Sequence, residues 1–268
     1  MWRHMALHIG TCGFSYRDWI GPFYPKGTRS LDMLPFYSQR FDCVEIDSTY
    51  YAIPKPQLFE SMDRRTPDGF RFTVKAPGSI THLPADQTPS SADGRAFAEA
   101  LEPIRDAGKL AAVLAQFPHA FRPGAAALER LRWLREQWPA LALIAEFRHR
   151  SWQSDATFAH LRELDVGWCN VDEPGFATLV RPGSEVTSSI GYIRFHGRNY
   201  DRWWRQEREP HERYDYAYSD AELTDWLPRI AAVEEQSKDA YVFFNNHHLG
   251  KAAINAQQLA AMLRKGRP

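Results

Sequence analysis

Arg194 and His196 lie two residues apart in the stretch SSIGYIRFHGRNY (188–200). On a β-strand that spacing puts both on one face and leaves Ile193 and Phe195 on the other. A guanidinium beside an imidazole at a strand end suits anion binding and proton transfer. The arrangement recurs along the chain. Glu146 and Arg148 are also two apart, directly behind the apolar run LALIA. Lys75 closes FRFTVKA, Glu45 and Asp47 fall in CVEIDSTYY, and Gln116 closes LAAVLAQF. Asn170 and Asp172 close VGWCNVD, and Asn245 and Asn246 close YVFFNN. Any one of these is explained by a loop cap or a solvated charge. The same bias on successive strands is not, because buried ionic groups are costly unless paired or used.

Glu146 is the candidate general acid or base, with His196 as its proton-transfer partner. Burial would raise the Glu146 pKa, whereas Lys75, Arg148 or Arg194 would lower it. Either the carboxylate does chemistry or it fixes the arginines. Lys75, Arg148, Arg194, Arg198, Asn245, Asn246, Glu45 and His82 are the candidate groups for holding an anionic substrate. Gly197–Asn199 and the run NNHHLGK, with Lys251, stand where barrels commonly hold a phosphate on free backbone N–H groups. The aromatic loop Asp201–Tyr218 is expected to cover the site or a dimer contact. Stacking of Trp203 and Trp204 on a sugar or base is the second option.

Eight strand-like segments must position these residues: Leu7–Phe14, Cys43–Tyr51, Phe70–Ala76, Leu110–Phe117, Leu141–Arg148, Val166–Asp172, the segment from Ser188, and Tyr241–Asn246. Helical patterns separate most of them, at Asp32–Arg40, Gln57–Arg65, a segment ending near Asp106, Ala126–Trp138, Asp155–Leu164, Ala221–Gln236 and Gly250–Leu263. Ser219 and Glu222 form a capping-box signature. Glu173–Thr187 is too rich in Pro and Gly for a full helix, so the alternation is irregular between strands six and seven. Regular βα alternation in 268 residues predicts an α/β fold, a single (β/α)8 TIM-barrel-like domain over residues 1–268. A doubly wound open sheet is the alternative.

The chain carries 33 basic and 33 acidic residues, which argues against wholesale binding of nucleic acid or acidic membranes. Three widely spaced cysteines fit no zinc pattern and cannot all pair, so a reduced, cytoplasmic setting is expected. Residues 1–10 lack the apolar run of a signal peptide, and no later segment is long and apolar enough to span a bilayer.

The motifs GTCGFSYRDWIGPFYP, VEIDSTYYAIP, FTVKAPGSITH, AEFRHRSW, YIRFHGRN and VFFNNHHLGKAAINA together resemble the YecE-like family, domain of unknown function 72. The resemblance runs in order from Ile9 to Leu263. Phe14 stands where many members have Trp, an aromatic-for-aromatic change. The resemblance implies a TIM-barrel-like fold and brings no established activity or cofactor.

Three functions fit the residues. The first is an enzyme acting on a small anionic substrate, phosphorylated or sugar-like, by hydrolysis or isomerisation without a metal or other cofactor. The second is a metal-dependent phosphodiesterase acting on nucleic acid, with Glu45, Asp47, Glu146, Asp172 and His196 as ligands. Neighbouring Lys75, Arg148 and Arg194 would repel the metal, so a nucleic-acid partner is the weaker expectation. The third is a binding module that captures the anion without turnover. No membrane partner is expected, and the sequence assigns no oligomeric state.

Overall fold

The computed structural model describes residues 6–201, 203–204 and 214–266. Among them the elements run β1 (Ala6–Thr11), α1 (Ser30–Tyr37), β2 (Cys43–Ile46), α2 (Pro56–Arg64), β3 (Arg71–Lys75), α3 (Gly78–Thr81), α4 (Ser91–Asp106) and β4 (Leu110–Gln116). They continue with α5 (Ala125–Gln137), β5 (Leu143–Glu146), α6 (Asp155–Glu163), β6 (Val166–Asp172), β7 (Ile190–Phe195), α7 (Asp220–Gln236), β8 (Asp239–Phe244) and α8 (Lys251–Gly266). The strand ladders are all parallel, in the order β1-β8-β7-β6-β5-β4-β3-β2.

Only the β1–β2 seam lacks a full ladder, and there Cys12 bridges Glu45 while the Gly13 N–H donates to the Glu45 carbonyl at 2.7 Å. The result is a nearly closed eight-stranded barrel, which decides against the open sheet. Glycine makes the seam possible. A Cβ at Gly10 would lie 2.4 Å from the Cys43 carbonyl oxygen, closer than real contacts allow.

The helices start where their caps demand. Ser90 and Ser154 accept from the third residue of α4 and α6, and Ser219 with Glu222 forms the expected capping box of α7. Between β6 and β7 the described chain is extended rather than helical. The Asn170 amide braces it, donating to the Glu185 carbonyl and accepting from the Glu185 N–H.

Two strands are shorter than their apolar runs suggest. β2 stops at Ile46 before a one-turn 3-10 segment at Ser48–Tyr50, and β5 stops at Glu146. Asp47 and Arg148 therefore stand just past the ladder, at the barrel mouth.

Large aromatic residues fill the layer between barrel and helices. Trp168 packs edge-on against Phe158 of α6, and Trp226 of α7 against Phe195. No helix among the described residues is long and apolar enough to cross a membrane.

Candidate active site at the barrel mouth

Alternation along β7 sends Tyr192, Arg194 and His196 into the barrel. The Tyr192 hydroxyl donates to Glu45 on β2 and meets Thr73 on β3, at 2.7 and 2.9 Å. One layer higher, the Arg194 guanidinium spans the lumen. Its Nη1 donates to Glu146 Oε2 at 2.5 Å, and its Nη2 to Glu45 Oε1 at 2.6 Å. The side chain is only 2% exposed. In so dry a setting a single guanidinium between two carboxylates is held firmly, because each charge is otherwise unsolvated.

Arg148 lies above this layer. Its Nε is 2.9 Å from Glu146 Oε1, and its Nη1 donates to Glu173 at 2.9 Å. His196 Nε2 is 3.2 Å from the same Glu146 oxygen, but off the line of a good hydrogen bond. On its other side the ring meets the Asn245 amide, Nδ1 to Nδ2 3.0 Å. With the amide donating, Nδ1 accepts and the ring proton sits on Nε2, facing the carboxylate.

These surroundings settle the sign that the sequence leaves open. Burial works to raise the Glu146 carboxyl, but Arg148, Arg194 and His196 outweigh it and hold the group well below its ordinary value. Burial, with Arg148 and Arg194, pushes His196 down to about 3, so the imidazole is neutral. Burial pushes Glu173 up to about 8, against the pull of Arg148.

A cleft of about 700 Å³ opens over this buried layer. Lys75, Arg148, Arg194 and Asn245 form its floor. Asp47 and the aromatic rings of Tyr16, Tyr50 and Tyr214 stand around them, and Leu31, Leu58 and Arg65 lie farther out. Lys75 differs from the arginines. No carboxylate lies within ion-pairing distance among the described residues, and its Nζ rests 4.5 Å from the centre of the Tyr50 ring. Burial, abetted by Arg194, lowers its pKa, and burial with Glu45 raises that of Asp47. Both groups move toward neutrality.

Glu45, Lys75, Arg148, Arg194, His196, Glu146 and Asn245 are thus gathered at one end of the barrel. Glu45, Glu146 and His196 are fully buried beneath the cleft rather than lining it. His82, pushed down to about 4 by burial and by Lys75, packs edge-on against Tyr50 at the side.

Arg198 and Asn246 do not join the group, which corrects the sequence reading. Arg198 turns to the outer side of the wall, where its Nε and Nη2 donate to Asp172 at 2.9 and 2.6 Å. Asp172 also accepts from Tyr218 and from the Trp226 indole. β6 is in the opposite register from the one its last residue suggests. Cys169, near Glu146, faces inward, and Asn170 and Asp172 face out. Asn246 donates to the Tyr216 carbonyl and to Asn255 of α8.

The expected anion site before α8 is filled by the protein's own acids. Asp18 accepts from the Leu249 N–H at 2.7 Å, and Asp215 pairs with Lys251. Among the described residues no three His, Cys, Asp or Glu side chains form a metal-holding set. Glu45 and Glu146 take up Arg194, and Asp172 lies on the far side of the wall.

Part of the loop 201–218 lies outside the described residues, namely 202 and 205–213. Of its described part, Trp203 is 3% exposed and sits over Arg148 and beside His196, while Trp204 is half exposed against His119 and Phe176.

Sequence reasoning misses Glu173, Tyr50, Tyr214 and Arg65. A signal for Glu173 existed, since it continues the parity of Cys169 and Val171. Every residue of β6 is buried, so polarity alone does not tell its faces apart.

A nearly closed parallel barrel with a charged cleft at the carboxyl ends of its strands is a TIM-barrel-type protein. The model of the family described as "Protein of unknown function DUF72" matches residues 8–268, and the chain belongs to that family. It is 33% identical to the UPF0759 protein YunF of Bacillus subtilis (strain 168), over 96% of this chain and 94% of that protein. A shorter match, 35% identity over 79 residues, covers 30% of this chain and 26% of the UPF0759 protein YecE of Escherichia coli (strain K12). The crystal structure of a DUF72 family protein from Thermotoga maritima MSB8 has a TM-score of 0.86 and 38% identity, covering 97% of this chain and 99% of that one.

Proposed function

We propose that this protein is an enzyme acting on a small anionic substrate, phosphorylated or sugar-like, by metal-free acid–base chemistry at the barrel mouth. The observation that carries the reading is the unequal use of the three cations on the cleft floor. Arg194 is consumed by Glu45 and Glu146, and Arg148 by Glu146 and Glu173, whereas the Lys75 ammonium faces the cleft without a carboxylate among the described residues. Lys75 is then the principal anion contact, with Asn245 and the remaining amino group of Arg148 beside it. Glu146 is a weak base, and it serves better as the clamp that holds both arginines. Asp47, which lines the cleft and has a raised pKa, is the better placed proton carrier.

Inorganic phosphate and a panel of sugar phosphates should raise the melting temperature with saturation. A ligand at about one hundred times its Kd adds about 2.7 kcal/mol. Lys75→Met keeps the apolar stem and should lose the shift; an equal saturating shift in the variant overturns the anion site. Proton NMR of the same panel after incubation reads turnover by hydrolysis or isomerisation, which Asp47→Asn should abolish. Binding without consumption of any compound would make the protein a binding module instead.

A further inference from the structure

We infer that Lys75 is a nucleophilic amine, and that the anionic substrate carries an aldehyde or ketone which Lys75 captures as an imine. The inference rests on the anion-site reading above and narrows its substrate class.

The geometry sets Lys75 apart from the other lysines. Lys109 pairs with Asp63, and Lys251 with Asp215. Lys26, Lys55, Lys238 and Lys265 are exposed on the surface. Lys75 alone ends a barrel strand, lines the cleft, and has an aromatic face rather than a carboxylate beneath its nitrogen. Its backbone is fixed as well, because the Thr49 hydroxyl, in the 3-10 segment after β2, donates to the Lys75 carbonyl at 2.6 Å. An ion-paired lysine is held protonated and cannot attack. A partly buried one close to other cations keeps a usable fraction of free amine. Burial and Arg194 favour the neutral form, while Glu146, Glu45 and Asp47 pull the other way.

The chemistry balances with groups on the same cleft. The Nζ lone pair forms a bond to the carbonyl carbon as the C=O π electrons move to oxygen. That oxygen takes a proton, which the Asp47 carboxyl can supply. The nitrogen, now carrying two protons and a positive charge, returns one to the Asp47 carboxylate, and the resulting carbinolamine loses its remaining nitrogen proton and its hydroxyl as one water, leaving the C=N bond. The neighbouring Arg148 keeps an amino group for the substrate's anionic end, and Asn245 offers a neutral polar contact.

The test is reductive trapping on the full chain. The protein is incubated with pyruvate, glyoxylate or dihydroxyacetone phosphate, treated with borohydride, and digested for peptide mapping. The expected result is a reduced adduct on the peptide holding Lys75, ahead of Lys26, Lys55 and Lys238, and diminished by inorganic phosphate. Lys75→Arg should lose the adduct but keep the phosphate-induced melting shift, since the charge remains. Labelling spread over the surface lysines, or absent from Lys75, overturns the inference. The two readings fail separately. A phosphate shift without a Lys75 adduct removes the imine and leaves the anion site. A Lys75 adduct that phosphate does not diminish, in a protein without a phosphate shift, removes the anion site.

Discussion

Arg194 on β7 and Glu45 on β2 meet across the barrel lumen, Nη2 to Oε1 2.6 Å, although 149 residues separate them in the chain. Glu146 on β5 holds the other amino group of the same guanidinium. One cation thereby ties three strands together just under the cleft. Its own charge is spent on that task, whereas Lys75 has no carboxylate within ion-pairing distance among the described residues.

Arg194→Met should destabilise the fold severely, by about 3–5 kcal/mol, because it leaves the buried Glu45 carboxylate without a cation and Glu146 with Arg148 alone. The loss should shrink as the pH is lowered. Glu146 loses one of the cations that hold its carboxyl down, so its folded-state pKa rises relative to the wild type and acid costs the variant less. Urea unfolding at pH 5 and pH 7 measures both effects. A variant loss that is the same at both pH values would show that Arg148 alone holds the Glu146 carboxyl down.

Wild-type stability should peak near pH 6.5. His196 and His82 titrate at about 3 and about 4 in the folded chain against an ordinary 6.5. Below pH 6.5 the unfolded chain binds protons that these folded histidines refuse, so stability falls as the pH drops. Glu146, held far below its ordinary value, deepens this acid loss once the pH passes below about 4.5. Glu173 acts in the opposite sense, because its folded pKa is about 8 against an ordinary 4.5. The folded chain keeps a proton that the unfolded one releases, so stability falls again as the pH rises toward 8. Denaturant titrations from pH 4 to pH 8 should trace this dome, and Glu173→Gln should remove its alkaline side. A wild-type curve still rising between pH 6.5 and pH 8 would contradict the assignment.

Arg198→Met should lower stability by leaving Asp172 buried with Tyr218 and Trp226 but without its cation. Loss of one partner of a buried pair costs about 3–5 kcal/mol, and less here because Arg198 is 26% exposed. The phosphate-induced melting shift should be unchanged, since Arg198 lies on the outer side of the wall. Loss of that shift would return Arg198 to the anion site.

The sequence by itself determined the βα alternation and many of the polar strand ends, while closure of the sheet into a barrel was decided by the structure. Polar residues at the ends of apolar strands, repeated through βα units, leave few other architectures, and a spacing of two fixed the shared faces of Arg194 with His196 and of Glu146 with Arg148. That logic works because side-chain alternation is local to each strand. It failed on β6, where both faces are buried and Asp172 looked like a site residue while Glu173, one position on, reached Arg148. It also failed beyond the strand ends, where Arg198, Asn246 and the start of α8 found partners in Asp172, Tyr216 and Asp18. Which charges cancel and which stay open depends on pairs such as Arg194 and Glu45, brought together only when the sheet closes. Tertiary structure alone decided that Arg194 is a tie across the lumen and that Lys75 lines the cleft without an ion pair among the described residues, because ion pairing depends on distances of a few ångströms between strands that sequence spacing does not encode.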